Sequence, residues 1–321
     1  MAVLAGIDEA GYGPLLGPLV VSASALSMPE SLLKADLWQL LKKSIAIQKK
    51  HLAGRLLITD SKKAYSRSAG IKHIQRTTLA MLRILGTEPN NLNDVLAFLC
   101  PDGLEQMGDY PWYCDANSIG APLSADHTDI KIASEVFASD MTRHDITLLS
   151  IQTHCLDVAR YNRLIEAVKN KASVLFSTTA ALIKSIWDNS RDPNIQVIVD
   201  RQGGRSHYLR NLQRMFSELD LTVINESENT SSYELKNINR KMRIHFVVKA
   251  DQRYMPVCLA SMVSKYVREL FVERINRYFL SHHAELRPTA GYWKDGLRFI
   301  ADIKTYIPNL KYDPNLLIRC R

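Results

Sequence analysis

The segment Gly6–Pro18, GIDEAGYGPLLGP, decides how this chain folds. It joins the apolar stretch AVLAGID (residues 2–8) to a second apolar stretch, LVVSASAL (residues 19–26). Three glycines and two prolines follow Glu9, and such a cluster between two apolar runs predicts a turn between two buried strands. The first strand of this hairpin therefore ends on two adjacent acids, Asp8 and Glu9, where a buried sheet ordinarily carries apolar side chains.

Strand-like and helix-like runs alternate along the rest of the chain. Apolar and β-branched runs predict further strands, and amphipathic runs predict helices between them. The strands are expected at 145–156, 194–200, 221–227 and 242–251, and the long helices at 29–52, 158–187 and 256–280. This layout is typical of an α/β fold, and we expect a central mixed five-stranded sheet that is flanked by helices.

Residues 87–144 lose this periodicity and are rich in Pro, Asn, Gly and Asp. Their aromatic side chains, which include Phe98 and Trp112, need burial, and this argues against a linker. We therefore expect a single domain over residues 1–321 with an irregular insertion at 87–144.

The composition indicates a globular protein that meets an anionic partner. The 321 residues are 46% hydrophobic, enough for a large core, and carry 41 Lys and Arg against 33 Asp and Glu. The net charge of +8 suits a nucleic acid or a membrane surface. The five cysteines are widely separated, so neither a zinc site nor a disulfide framework is indicated, and the cytoplasm is the expected compartment. No apolar run reaches the length of a membrane span, and the apolar start of the chain lacks the positive region of a signal peptide.

Acids end three of the predicted strands: Asp8 and Glu9 on the first, and Asp200 and Asp251 on two later ones. One such acid is as often a solvated exit residue as a functional one, but ligands collect at strand ends in open α/β sheets. Four converging carboxylates would repel one another unless divalent cations neutralised them. Because the ligand set holds oxygen atoms only, Mg²⁺ or Mn²⁺ is the expected ion. Two such ions about 4 Å apart can hydrolyse a phosphodiester, so the pattern predicts a nuclease or another phosphoryl-transfer enzyme.

Asp8 and Glu9 pose a geometric problem, because successive residues of a strand point to opposite faces of the sheet. We therefore expect Asp8 to close the strand and Glu9 to begin the turn, with its longer side chain curling back. Both carboxylates could then reach the same cations.

Five segments, in chain order, resemble the motifs of type 2 ribonucleases H, the family of ribonuclease HII and its archaeal and eukaryotic relatives. The opening segment is similar to the family motif G-I-D-E-A-G-R-G-P-x-x-G-P. The other four are TDSKKAYS (59–66), VIVDRQGGRSHYLRNL (197–212), KADQRYMPVCLASMVSKYVRE (249–269) and TAGYWKDGLRFI (289–300). Together they cover most of the chain outside 87–144, and five motifs in the family's order make the resemblance specific.

This resemblance implies an RNase H-like fold and metal-dependent hydrolysis of the RNA strand of RNA/DNA hybrids, including single ribonucleotides embedded in duplex DNA. The family's four metal-binding acids match Asp8, Glu9, Asp200 and Asp251, which would hold two Mg²⁺ or Mn²⁺ ions. We expect the protein to act as a monomer and without a membrane.

The resemblance also implies residues that contact the substrate. Gly11, Tyr12 and Gly13 match the turn that presents backbone groups to the ribose 2′-OH, the group that distinguishes RNA from DNA. Tyr292 matches the tyrosine that stacks at the junction of RNA and DNA. The family's turn carries an arginine where this chain has Tyr12, so a cation beside the scissile phosphate is missing here.

Four basic residues in these segments are candidate phosphate contacts. Lys62 lies in the second segment and Lys265 in the fourth. Arg201 and Arg205 flank the sequence QGG, and they could clamp a backbone phosphate or replace the charge absent at Tyr12. A solvated surface is the alternative for Lys62 and for both arginines.

Two other functions stay open at this point. One is a nucleic-acid-binding protein on the same fold with lost or narrowed catalysis, which the tyrosine in the turn would favour and the retention of all four acids opposes. The other is an RNase H-fold nuclease that acts on another substrate, such as a structure-specific DNase. Cleavage tests on hybrid, ribonucleotide-containing and all-DNA duplexes would separate the three.

Overall fold

A seven-stranded mixed sheet forms the centre of the described chain, which comprises residues 1–65, 70–114 and 126–320 of this computed structural model. The strands of the chain are β1 (Ala2–Ala10), β2 (Leu19–Met28), β3 (Ile45–Ala46), β4 (Leu56–Leu57), β5 (Thr147–Leu156), β6 (Asn194–Asp200), β7 (Asp220–Glu226), β8 (Thr230–Lys236) and β9 (Lys241–Val247). The order across the large sheet is β5-β2-β1-β6-β9-β8-β7, and β3 pairs with β4 separately. The predicted mixed sheet is confirmed, but it has seven strands instead of five. One reason is β8, whose polar sequence TSSYELK has no strand pattern and pairs with both β7 and β9.

Helices flank the sheet, as predicted. Their bounds are α1 (Leu37–Leu40), α2 (Ser61–Ala64), α3 (Lys72–Ile84), α4 (Leu92–Leu99), α5 (Pro101–Leu104), α6 (His127–Thr142), α7 (Val158–Val168), α8 (Lys171–Asn189), α9 (Leu209–Met215), α10 (Met255–His282), α11 (Trp293–Tyr306) and α12 (Pro314–Leu317). Helix α10 packs across β1 and β2 on one face of the sheet, and α8 packs on the other face. Within the described ranges, none of these helices combines the length and the apolar character that crossing a bilayer requires.

Gly6 allows α10 to approach β1 closely. A Cβ atom on Gly6 would collide with the backbone of Pro256 and Val257, meeting the carbonyl oxygen of Pro256 at 2.6 Å. The Ser24 hydroxyl, on β2, donates to that same carbonyl at 2.8 Å. The glycine that opens the GIDE sequence therefore fixes the start of α10 against the strand that carries the acids.

Strands β1, β6 and β9 run parallel, and their carboxyl ends meet at one edge of the sheet. Ile7 pairs with Val199 across β1 and β6, and Asp200 pairs with Val247 across β6 and β9. Strand β2 runs antiparallel to β1, which confirms the predicted hairpin. This edge is where the predicted acids lie.

Two predicted helices differ from the observed structure. Residues 29–52 contain only short turns, α1 and β3, because Trp38 docks its Nε1 on the carbonyl of Ile58 at 2.9 Å and the helical spacing is not followed. The predicted helix 158–187 is divided into α7 and α8. Lys169 takes a left-handed backbone conformation there, with φ 50°, and Asn170 caps α8.

The insertion expected at 87–144 is largely helical where it is described, since α4, α5 and α6 lie in it. Its aromatic side chains are mostly buried: the ring centroid of Trp112 lies 5.7 Å from that of Phe279 in α10. Phe98 differs from the expectation, because it is 39% exposed. The segment therefore adds to the core under α10, and residues 115–125 lie outside the described residues.

Candidate active site

Asp8 and Asp200 lie side by side at the sheet edge. The parallel register that pairs Ile7 with Val199 brings the next residue of each strand to the same level. Asp251 follows the end of β9 in the short turn before α10, and its charge acts on Asp200. The structure thus brings together the acids from three separate parts of the sequence.

Strand β1 continues through both acids as far as Ala10, so the expectation that Asp8 closes the strand is wrong. Both acids remain paired with β2, and the pleat directs their side chains to opposite faces. Asp8 is 7% exposed and follows Gly6 on the α10 face. Glu9 lies on the face of α8 and α9, where its charge acts on Tyr12 and Tyr208.

Hydrogen bonds orient the aspartates. The Ala250 N–H donates to Asp200 Oδ1 at 2.7 Å. The Glu9 N–H donates to Asp8 Oδ1 at 2.7 Å, and the Ser264 hydroxyl of α10 donates to the Asp8 backbone carbonyl at 3.0 Å. The turn before α10 therefore orients the Asp200 carboxylate, whereas the backbone of β1 itself orients that of Asp8.

Burial and mutual repulsion act on all four carboxyl groups. Burial, then the charges of Glu9 and Asp200, raise the pKa of Asp8 well above its ordinary value. Burial and the charge of Asp200 raise the pKa of Glu9 to about 7, and burial and the charge of Asp251 raise that of Asp200 to about 6. Burial and the charge of Asp60 also raise the pKa of Asp251. A cation placed among these acids would relieve their repulsion.

The chemistry of this donor set fits a hard divalent cation, because it offers carboxylate oxygens that repel one another. The four carboxylates are too far apart in this structure to coordinate one ion together. Within the described ranges, no three His, Cys, Asp or Glu side chains are grouped closely enough to hold a metal ion. The opposite directions of Asp8 and Glu9 contribute to this spacing.

Lys62 lies beside the acids. Its positive charge lowers the pKa values of Glu9, Asp200 and Asp251 against the effect of burial. The Lys62 N–H donates to Asp60 Oδ1 at 2.9 Å, so Asp60 is the N-cap of α2. Helix α2 therefore brings a cation to the edge of the carboxylate cluster.

Tyr292 presents a ring that is 51% exposed next to two cations of α10. Arg268 Cζ lies 5.3 Å and Lys265 Nζ lies 6.0 Å from its ring centroid. Lys265 pairs with Glu269 at 2.6 Å, whereas Arg268 is 1% exposed and donates to the Ala290 carbonyl at 2.9 Å. The sequence reasoning named Lys265 and Tyr292 but missed Arg268, which its helical spacing of three residues from Lys265 could have indicated.

Arg319 holds the turn that starts at Gly11. Its guanidinium donates to the carbonyls of Gly11 and, at 3.3 Å, of Tyr12, and its Cζ lies 4.0 Å from the ring centroid of Tyr161. Gly11 has a φ of 95°, and a Cβ there would lie 2.5 Å from the carbonyl oxygen of Pro18, so this position requires glycine. The sequence reasoning missed Arg319, because 308 positions separate it from Gly11 and no local pattern marks it.

The two arginines that flank QGG have different surroundings. Arg201 donates to the Glu228 carbonyl, to the Ser227 carbonyl at 3.0 Å and to the Ser231 hydroxyl at 2.9 Å. These bonds tie Arg201 to the β7–β8 turn, and the phosphate contact expected of it stays a prediction. Arg205 instead packs against the rings of Phe176 and Tyr208. These rings lie on the face of the sheet to which Glu9 points, which we call the Glu9 face.

No protein-family model matches the chain, and no curated protein matches its sequence. Among solved structures, ribonuclease HII from Archaeoglobus fulgidus, solved as a complex with PCNA, is 17% identical over 99% of this chain and 94% of its own, with a TM-score of 0.48. Ribonuclease H2 from Pyrococcus horikoshii OT3 is 15% identical over 98% of this chain and 92% of its own, with a TM-score of 0.41. Bst-RNase HIII in complex with Mn²⁺ is 14% identical over 87% of this chain and 55% of its own, with a TM-score of 0.37. The chain is thus similar to solved ribonucleases HII and HIII, the enzymes whose motifs its sequence resembles.

Proposed function

We propose that this protein is a metal-dependent endoribonuclease that hydrolyses the RNA strand of RNA/DNA hybrids, including ribonucleotides embedded in duplex DNA. The observation that carries the proposal is the position of Asp8 and Asp200 side by side on β1 and β6, with Asp251 in the turn after β9 close enough for its charge to act on Asp200. Glu9 joins them from the other face of β1. Raised pKa values of this kind, produced by burial and by a neighbouring acid, are typical of functional sites and not of solvated strand ends.

The four acids would together hold two Mg²⁺ or Mn²⁺ ions. Bound there, the ions would supply Lewis acidity for the attacking water and for the leaving oxygen of a phosphodiester. The protein's own contribution is orientation: the Ala250 N–H fixes the Asp200 carboxylate, and the Glu9 N–H fixes that of Asp8. Because the acids must lose their protons to bind cations, the site becomes competent as the pH rises.

Basic and aromatic side chains around the acids suit a nucleic-acid substrate. Lys62, beside the carboxylates, and Lys265, beside Tyr292, are the candidate phosphate contacts. The exposed ring of Tyr292 offers a stacking surface for the junction of RNA and DNA. The turn from Gly11 to Gly13, which Arg319 holds, is the element that would meet the ribose 2′-OH.

Cleavage of three matched duplexes tests the proposal. One duplex carries a single ribonucleotide in DNA, one is an RNA/DNA hybrid, and one is all DNA; each is incubated with Mg²⁺, with Mn²⁺ and with a chelator. We expect ion-dependent cleavage of the first two and none of the third. Cleavage of the RNA/DNA hybrid but not of the duplex with a single ribonucleotide would mean that the Tyr12 turn has narrowed the substrate specificity.

Two results would contradict the proposal. Cleavage of the all-DNA duplex would identify a DNase on this fold. Tight binding of the hybrid without cleavage under any ion condition would identify a nucleic-acid-binding protein.

A further inference from the structure

Arg205 is a half-buried cation on the Glu9 face of the sheet, and within the described ranges no ion pair involves it. Its Nη1 atom is buried without a hydrogen bond. Glu226, an acid on the same face, bonds instead to His207 and Tyr233. Leaving a buried donor unpaired destabilises the folded protein, and more so when the donor is charged. An anionic ligand would complete the hydrogen bonding of this guanidinium.

Aromatic rings and a glycine turn position Arg205. Its Cζ lies 5.6 Å from the ring centroid of Phe176 and 5.7 Å from that of Tyr208. Its backbone N–H donates to the Gln202 carbonyl at 2.9 Å, which closes a turn through Gly203, where φ is 53°. Stacking on a ring face uses the charge of a guanidinium but not its N–H groups. Arg205 is therefore held in place while its other donors, Nε and Nη2, stay available: they are not among the buried atoms, and the described residues show no hydrogen bond from them.

Tyr12 packs against the turn that carries Arg205. A Cβ on Gly203 would lie 3.3 Å from the Tyr12 hydroxyl oxygen. Burial and the charge of Glu9 raise the pKa of Tyr12, whereas the charges of Arg205 and Arg319 act to lower it. These residues therefore share one surface, which adjoins the carboxylate cluster through Glu9.

We propose that Arg205 forms a phosphate subsite on this surface. It binds a backbone phosphate of the nucleic acid while a neighbouring phosphodiester of the same nucleic acid lies at the carboxylates. The proposal rests on the proposed function and deepens it. A guanidinium fork matches two oxygens of a phosphodiester and binds them with charge-assisted hydrogen bonds. The QGG turn would in this way place the cation of Arg205 beside the turn from Gly11 to Gly13, where the uncharged Tyr12 stands.

Salt dependence of binding tests the subsite without relying on catalysis. Binding of the RNA/DNA hybrid and of the all-DNA duplex is measured by fluorescence anisotropy in a chelator over a range of KCl concentrations. We expect Arg205→Gln to weaken binding of both about tenfold. We also expect it to reduce the slope of log K against log salt by about 0.9, the loss of one phosphate contact. Arg205→Lys should keep the slope and recover only part of the affinity, because an ammonium lacks the fork.

A matched arginine serves as the control. Arg240 also stacks on a ring, with Cζ 4.3 Å from the centroid of Trp187, but its Nη1 donates to the carbonyls of Trp187 and Ser190. It lies at the other end of β9, about 20 Å along the strand. Arg240→Gln should lower the melting temperature and leave the salt slope unchanged.

The outcomes separate this subsite from the proposed function. If the wild type binds both duplexes and Arg205→Gln, still folded by thermal unfolding, keeps the wild-type slope, the subsite is refuted while the proposed function stands. If the slope falls in Arg205→Gln but the wild type cleaves no hybrid, the subsite stands and the proposed function fails. A wild type that binds neither duplex would also overturn the subsite.

Discussion

The α10 face and the Glu9 face of the sheet carry different charges, although adjacent residues of one strand, Asp8 and Glu9, point to them. On the α10 face, the charge of Asp200 acts on Asp8, and that of Asp251 acts on Asp200. The charge of Lys62 acts on Asp200 and Asp251 and also reaches Glu9. On the opposite face, Glu9 and the guanidinium groups of Arg205 and Arg319 all act on Tyr12. Because a strand alternates its side chains, the dipeptide Asp8-Glu9 supplies a carboxylate to each environment. In the proposed function all four carboxylates hold the cations, and the opposite face adds the phosphate contact of Arg205.

Removing an acid from the α10 face is expected to have the largest effect. Asp200→Asn should lower single-turnover cleavage of the hybrid by about a thousandfold or more, because a charged oxygen ligand is lost. Arg205→Gln on the other face should lower it only about tenfold, through binding. Asp220→Asn, at an exposed position at the start of β7, is the control and should behave as wild type. Equal losses in the Asp200 and Arg205 variants would erase the distinction between the faces.

Gly6→Ala is expected to disturb the α10 face next. The added Cβ would collide with backbone atoms of Pro256 and Val257 at the start of α10. Backbone atoms cannot rotate out of the way as a side chain can. We expect a loss of about 3 kcal/mol in the free energy of unfolding, measured with urea. Gly13→Ala is a control on the other side of the hairpin turn, because its Cβ would have no atom within 4 Å. An unchanged stability in Gly6→Ala would show that α10 does not depend on this contact.

The pH dependence of stability should report the repulsion among the acids. Folded Glu9 and Asp200, with pKa values of about 7 and about 6, hold protons that the unfolded chain releases near its ordinary values. The folded state binds more protons between those values, so these groups stabilise it at low pH and lose that contribution as the pH rises through about 6 to 7. Each pKa unit corresponds to about 1.4 kcal/mol, and both pKa values are raised by about 2, so we expect a combined loss on the order of 6 kcal/mol in metal-free protein.

Asp200→Asn provides the comparison for this effect. Urea unfolding in a chelator at about pH 5 and about pH 8 should show the variant gaining on the wild type as the pH rises. Added Mn²⁺ should stabilise the wild type at the higher pH and the variant much less. A stability difference between the two proteins that is the same at both pH values would mean that neither burial nor the neighbouring acids raise the pKa of Asp200.

The smallest expected effect is on the Glu9 face. Tyr12→Phe keeps the ring and removes the hydroxyl that packs against Gly203, so stability should change by no more than about 0.5 kcal/mol. The ratio of hybrid to single-ribonucleotide cleavage should also stay within about twofold of wild type. A much larger loss of cleavage would place the hydroxyl in the reaction and give the Glu9 face more than a binding role.

The acids were named from the sequence because each follows an apolar run, a pattern that is local in sequence. The observed register then places Asp8 beside Asp200. The direction of Glu9 could not be predicted, because strand β1 continues through it by pairing with β2. Arg319 and Arg268 were missed for another reason: both contact the turn region through tertiary packing, and neither belongs to a local pattern.

The errors in the fold have similar physical causes. The leucine and lysine spacing at 29–52 is helical, but the docking of Trp38 on Ile58 breaks the segment into short elements. The insertion at 87–144 forms helices despite its Pro and Asn content, since Asn91 and Asp126 act as N-caps. Polar residues that suggested an irregular segment are in these cases the signals that begin helices.

Mn²⁺ binding tests most directly whether the carboxylates form a metal site. Free Mn²⁺ can be measured by electron paramagnetic resonance while it is titrated with the wild type and with Asp200→Asn at about pH 6 and about pH 8. We predict that the wild type binds Mn²⁺ more tightly at the higher pH and that Asp200→Asn loses most of this binding. Equal Mn²⁺ binding by the two proteins, or binding that does not strengthen with pH, would contradict the assignment of the site.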